Sequence, residues 1–409
     1  MQNNPPKQQP PGPLTGLRVL ELGQLIAGPF CGRILADFGA EVLKVEPPAG
    51  GDPLRNWRVM KDGNSIWWEA QSRNKRSVAI DLRRTEGQAL ARDLIGRSDV
   101  VIENFRPGQL EQWGLGYDQL SKTHPGLILL RISGYGQEGP YRDRPGFGVI
   151  GEAMGGLRYL SGEPGRIPVR VGVSIGDSLA ALHGVIGILM ALRQKEVNGG
   201  RGQVVDVALY ESVFNMTESL LPEFSVTGLV REPSGSAMPG IAPTNAYRCS
   251  DGLVLIAGNG DGIFRRLMRL IGREDLAIAP ALQDNAGRVH AVDMLDQAIG
   301  AWAAGRSVEA ALAALNAAAV PAGRIFSAAD IAADPHYRAR EMLLTAQARE
   351  GYPLVQPGVV PKLLDTPGTL RTPAPRLGEH TVSVLNALGV SAQQVEQLRH
   401  DGVIKWPED

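Results

Sequence analysis

The chain has 409 residues, enough for two or three compact units at roughly 150 residues each. Its 42 Lys and Arg stand against 43 Asp and Glu, so a formal charge of -1 draws it neither to nucleic acid nor to an anionic membrane, and any anionic ligand has to be held by local charge. The two cysteines, Cys31 and Cys249, are too few for a disulfide framework and suit a reducing, cytoplasmic setting, while 50 Gly and 29 Pro point to a globular chain rich in turns.

Residues 1–13 hold five prolines and no Leu, Ile or Val, and read as a disordered tail without the apolar stretch of a signal peptide. From Leu17 short apolar runs alternate with helical patterns: a strand at 17–22, a helix at 30–38 and a strand at 41–46 make a βαβ unit. Gly23 and Gly28 in the first turn and Glu46 at the end of the second strand give a Rossmann-like layout without its glycine spacing. Further strands are expected at 77–82, 99–104 and 127–133, with a helix from Thr85 to Ile95. The fold class is therefore α/β, a parallel sheet with helices on its faces.

Gly134-Tyr135-Gly136-Gln137-Glu138-Gly139 follows a strand and matches half of a dinucleotide fingerprint. The run from Pro140 to Pro145 cannot open the helix that would receive a pyrophosphate, so a glycine-rich loop near some other ligand is expected. Gly172-Val173-Ser174-Ile175-Gly176 matches the nucleophile elbow of serine hydrolases, with Ser174 as nucleophile and His290, His336 or His380 available downstream. Asp177 then caps an apolar helix to about Leu192, in which Leu179, Leu182, Ile186 and Leu189 share one face. The same position suits a carboxylate nucleophile, because a helix N-terminus favours the ionised form. The longest apolar run, 184–192, is short of the ~18 residues of a membrane span.

Residues 201–224 read as a linker helix, and 225–335 as a smaller α+β unit with a hairpin at 247–257 and helices near 263–271, 289–304 and 307–319. A Pro-rich return at 336–373 leads to two short helices, 381–388 and 391–399, so that 374–409 completes the large unit of 14–200. The six histidines and two cysteines form no zinc-type pattern, and no metal is expected.

Several short strings, in this order along the chain, carry a resemblance: Ala27-Gly28-Pro29, the run Gly39 to Glu46 with Gly51-Asp52, Asn74-Lys75-Arg76-Ser77 and Glu103-Asn104-Phe105-Arg106-Pro107-Gly108. Ser133-Gly134-Tyr135-Gly136, Gly176-Asp177 and Leu377-Gly378-Glu379-His380-Thr381 follow. Together they resemble the class III CoA-transferases. The resemblance implies an enzyme whose Asp177 attacks an acyl-CoA thioester, with an aspartyl anhydride and an aspartyl-CoA thioester as intermediates. It implies that Ile26 and Ala27 line the thioester pocket, that Lys75, Arg76, Asn104, Arg106, Tyr135 and Arg288 hold CoA, and that Gly258, Asn259 and Gly260 form a glycine loop at the oxyanion.

By the same resemblance the protein is an interlocked, ring-like homodimer. CoA thioester serves as substrate, with no tightly bound cofactor. The expected donor is succinyl-CoA and the expected acceptor a small dicarboxylate such as itaconate, glutarate, citramalate or malate, with Arg142, Arg144 and Arg170 as partners for its distal carboxylate. Two departures are notable: Gly148 stands where relatives commonly carry Asp, and Ile26 where the formyl-CoA enzyme carries Gln. Phe147 occupies the place of the histidine of the related acyl-CoA racemases and cannot shuttle a proton. A serine thioesterase using Ser174 and a non-enzymatic acyl-CoA binding module are the other readings of the residues.

Overall fold

The computed structural model describes residues 12–407, and most of the expected tail, 1–11, lies outside them. The chain divides into two units, one of 1–158, 171–222 and 338–409, the other of 159–170 and 223–337.

The first unit is built on strands β1 (Arg18–Glu21), β2 (Glu41–Glu46), β3 (Lys75–Ile80), β4 (Val100–Glu103), β5 (Ile128–Ser133) and β6 (Val204–Ala208), with a short β7 (Ile404–Lys405). They form one sheet in the order β7-β3-β2-β1-β4-β5-β6, all parallel except β7. Without β7 this is the doubly wound order, in which the chain leaves β1 first to one side and then to the other. Alternate residues of each strand face opposite layers: Val19, Val100 and Ile102 pack under α1 (Ala27–Asp37), whereas Leu20 and Val101 pack under α2 (Thr85–Ile95) and the C-terminal helices.

Two expectations about local structure are corrected. Residues 201–224 are not simply a linker helix, because Val204–Ala208 pairs with β5 as the sixth strand before the short helix Leu209–Phe214. The long helix begins earlier than expected and runs Ile175–Val197, here called α3; Ser174 is its N-cap and Asp177 sits one turn in.

Helix α3 has 23 residues and a mean hydropathy of 1.8 over its most apolar window, so by length and composition it does reach a membrane span. In the fold it packs against α1, β5 and β6. Its buried face is made of small residues, Ala180, Ala181, Gly184 and Ala191 with Ile188, while Leu182, Ile186 and Leu189 of the expected apolar face are exposed. The sheet explains the inversion: a Cβ on Gly184 would come 2.8 Å from Leu130 and one on Gly187 2.5 Å from Val205, so only small side chains allow this approach.

The second unit centres on an antiparallel sheet of Thr244–Arg248, Leu253–Ala257 and Ala322–Arg324. Helices Asp261–Leu270, Val292–Ala304 and Val308–Ala317 cover it through Phe264, Leu267, Ile299 and Leu315.

Candidate active site

A cavity of about 310 Å³ opens at the carboxyl ends of β1, β4 and β5. It straddles the β1–β4 boundary, where the strand order reverses and where open α/β sheets bind their ligands. Its walls come mainly from three loops and the helices that begin near Asp177 and at Leu209. The loop after β1 contributes Gln24, Leu25, Ile26 and Ala27; the loop after β4 contributes Asn104, Phe105 and Arg106; the loop after β5 contributes Gly134, Arg142, Arg144 and Phe147. Asp177 enters from the first turn of α3.

That position matters for the carboxylate. The free N–H groups and dipole of a helix N-terminus stabilise negative charge. Ahead of it lies the short helix Gly148–Met154, and its first residue has no room for a side chain, since a Cβ on Gly148 would collide with Asp177 Oδ2 and lie 3.0 Å from Oδ1. Gly148 thus leaves the space that the Asp177 carboxylate fills. Buried Glu152 on the same short helix accepts a long hydrogen bond from Gly176 N–H at 3.5 Å, tying that helix to the start of α3.

Of the expected ligand-binding residues, Ile26, Ala27, Asn104 and Arg106 meet Asp177 at this cavity. Asn104 spends its amide on the neighbouring loop: Oδ1 accepts from Gln24 N–H at 2.7 Å and Nδ2 donates to Gln24 C=O at 2.8 Å. Tyr135 stands behind the wall, edge-on to Tyr141 with ring centroids 5.9 Å apart. Arg142 and Arg144, which sequence reasoning assigned to the acceptor, also line the cavity, and Arg144 stacks on Tyr141 at 3.6 Å.

Other expectations need correction. Lys75 does not present its ammonium to a ligand; it is fully buried, 2.8 Å from Glu21 Oε2 and donating to Pro29 C=O at 2.7 Å. Arg76 pairs with Glu41 at 2.7 Å beside a separate hollow at the amino ends of β2 and β3. The reason is direction: Lys75 and Arg76 begin β3, whereas the cavity lies where parallel strands end.

Arg288, placed in the second unit, is 1% exposed and spends its guanidinium on Ala242, Leu282 and Asn259 carbonyls and on Asp261. Its donors stitch its own unit together, which is the fate of a buried charge. Gly258, Asn259 and Gly260 lie in that unit between the strand Leu253–Ala257 and the helix Asp261–Leu270, and Arg170 belongs to it too. The nucleophile elbow loses its context, because no strand precedes Gly172. What sequence reasoning missed was the structural use of Gln24, Leu25 and Leu209, whose signal was their place shortly after strands, and of Phe105, which was seen only as part of a motif string.

A carboxylate at a helix start, in a cavity at the switch point and flanked by guanidinium groups, fits acyl transfer. The pattern of CoA-transferase family III matches residues 14–381. The chain belongs to that family. This CoA-transferase is 46% identical to the succinyl-CoA–D-citramalate CoA-transferase of Chloroflexus aurantiacus, over 97% of this chain and 99% of the relative. It is 44% identical to the beta subunit of the succinyl-CoA–L-malate CoA-transferase of the same organism, over 96% and 98%. It is 36% identical to the succinate–glutarate CoA-transferase of Agrobacterium fabrum, over 94% and 97%. Among solved structures, a CaiB/BaiF family protein from Brucella suis superposes with a TM-score of 0.81 at 35% identity, covering 92% of this CoA-transferase and all of that chain. The mixed α/β architecture with a mostly parallel sheet is consistent with that fold.

Proposed function

We propose that this CoA-transferase moves CoA from succinyl-CoA to a small dicarboxylate by covalent catalysis at Asp177. The observation that carries the proposal is the Asp177 carboxylate, set in the switch-point cavity close against Gly148.

The chemistry balances in four displacements. An Asp177 oxygen attacks the thioester carbonyl, the C–S bond breaks, and CoA leaves as thiolate from a mixed anhydride. The thiolate attacks the aspartyl carbonyl, releasing the donor acid and leaving CoA on Asp177. The acceptor carboxylate displaces the thiolate again to form a second anhydride, and the thiolate finally attacks the acceptor carbonyl, restoring free Asp177. Splitting the exchange this way keeps the thioester's energy in the enzyme.

In this reading Arg142 and Arg144 meet the distal carboxylate of the acid, since a guanidinium offers two parallel donors to a carboxylate, and Arg106 meets CoA phosphate. The relatives named for citramalate, malate and glutarate support a dicarboxylate acceptor, with itaconate a further candidate. Two copies form a homodimer, interlocked by family resemblance; the exposed apolar face of Leu182, Ile186, Leu189 and Met190 on α3 supports an interface of this kind.

The test is a mass-spectrometric screen of CoA products, with succinyl-CoA offered against a panel of mono- and dicarboxylic acids. Asp177→Ala is expected to abolish exchange, and borohydride after succinyl-CoA is expected to mark Asp177 in the unaltered protein. Exchange that survives Asp177→Ala and disappears in Ser174→Ala overturns the proposal in favour of serine chemistry.

A further inference from the structure

Two motifs found in the sequence take no part in the chemistry above: Glu41 to Glu46 with Gly51-Asp52, and Asn74-Lys75-Arg76-Ser77. Their charged side chains meet inside the first unit. Lys44 Nζ lies 3.0 Å from Glu21 Oε1 and 2.8 Å from Asp52 Oδ2, and Lys75 Nζ lies 2.8 Å from Glu21 Oε2. All four side chains are at most 1% exposed. Two cations face two anions, so the cluster carries no net charge into the interior. Beside it Glu46 holds Asp52 N–H at 3.0 Å and pairs with Arg55 at 2.8 Å.

Stability alone does not call for such a cluster, because apolar residues of similar volume commonly replace buried ion pairs without loss. What apolar residues could not supply is the second set of bonds these side chains make. Lys44 Nζ donates to Gly23 C=O at 2.8 Å, and both Asp52 oxygens accept from Leu25 N–H at 3.1 Å. Lys75 donates to Pro29 C=O, Gln71 to Ile26 C=O at 3.1 Å, and Asn104 holds both backbone groups of Gln24. Every residue from Gly23 to Ile26 is therefore gripped at its backbone by a polar side chain from another part of the chain.

Gln24, Leu25 and Ile26 of the gripped segment line the same cavity as Asp177, at the switch point. The segment also holds Leu25 at φ 64°, a left-handed conformation that leucine rarely adopts unaided. Leu25 lies in neither helix nor strand, and the Asp52 carboxylate holds its amide.

We infer that Asp52, braced by Lys44, is a positioning residue that sets the Gln24–Ala27 wall against which the thioester is presented to Asp177. The inference rests on the function proposed above. CoA is far longer than this four-residue wall, so loosening the wall is expected to displace the reacting carbonyl more than it weakens binding. A misplacement of about 1 Å is enough to cost on the order of 100-fold in rate.

The experiment compares Asp52→Ala, Asp52→Asn and Gln71→Met in the full-length protein. Each is followed by succinyl-CoA turnover, thermal unfolding and hydrogen exchange of the 20–28 segment. Asp52→Ala is expected to lower kcat about 100-fold with the succinyl-CoA KM within about threefold, and to speed exchange at Leu25 at least about tenfold. Asp52→Asn, which keeps an acceptor for the Leu25 amide, is expected to recover about tenfold of the lost kcat. Should Asp52→Ala fail to fold, Gln71→Met removes one grip without stranding a charge and is expected to lower kcat about tenfold.

A folded Asp52→Ala with normal kcat, or, where that variant does not fold, a Gln71→Met with normal kcat, overturns the inference. If the unaltered protein transfers CoA to no acid, the functional proposal fails instead. The positioning role then stands or falls on exchange at Leu25, and an unchanged rate in the folded Asp52 variant refutes it.

Discussion

Gly148 and Asp177 fit together so closely that a Cβ at Gly148 would take the place of Asp177 Oδ2 and force the carboxylate to move. Gly148→Ala should therefore turn the carboxylate away from the cavity. Gly148 opens a helix and does not have a positive φ, so alanine suits the backbone there. The expected outcome is a kcat lower by about 100-fold with little change in melting temperature, since misdirecting a reacting group costs rate more than fold. Steady-state kinetics and a thermal melt on the same sample check it.

Arg142 provides a test of acceptor choice. It lines the cavity, and its Nε is buried without a hydrogen-bond partner among the described residues. Arg142→Ala should raise the KM of a dicarboxylate acceptor about tenfold, the worth of one charge-assisted pair, while leaving the KM of a monocarboxylate acceptor within about twofold. Equal effects on mono- and dicarboxylate acceptors would show that Arg142 does not read the distal carboxylate.

Gly32 in α1 protects the buried charges from the other side, because a Cβ there would collide with Glu21 Oε2. Gly32→Ala should part Glu21 from Lys75 or Lys44 and cost about 3 kcal/mol, the usual penalty for stranding a buried charge, despite alanine's better helix propensity. Urea unfolding measures it; a neutral or stabilising result would show that the cluster relaxes freely.

Acid sensitivity should come from the same region. Burial pushes the carboxyls of Glu46 and Asp52 up, but Arg55 beside Glu46 and Lys44 beside Asp52 outweigh it and hold both below their ordinary values of 4.5 and 3.8. In that range the unfolded chain binds more protons than the folded one, so stability rises with pH there. The contribution is complete above about pH 4.5 and is lost as the pH falls through the depressed values. Unfolding free energy against pH should drop steeply on the acid side, and Glu46→Gln should flatten that drop while lowering stability at neutral pH. An equally steep acid limb in the variant would place the sensitivity elsewhere.

The alternation of strands and helices was legible because apolar periodicity is a local property, and β1 to β5 fall within a few residues of their expected places. β6 was not legible: Val204–Ala208 is an edge strand, half-buried and interrupted by Asp206, so its pattern is weak. On α3 the periodicity revealed an apolar face but not which face turns inward. That depended on how near the sheet lay, and small residues won because only they let the helix approach Leu130 and Val205.

The candidate site divides in the same way. Sequence alone marked Asp177 as the candidate carboxylate, by its place after a glycine at a helix start and by family resemblance, and it placed Asn104 and Arg106 directly after a strand whose carboxyl end faces the cavity. Only tertiary structure decided the fate of the other cations. Lys75 and Arg288 look in sequence like ligand-binding charges, yet both are buried and paired, because a lysine or arginine can reach either way from its backbone and settles where oppositely charged groups and carbonyls await it. Those partners come from residues 46 and 54 positions away for Lys75, and such distances are bridged by strand order and packing rather than by any local pattern.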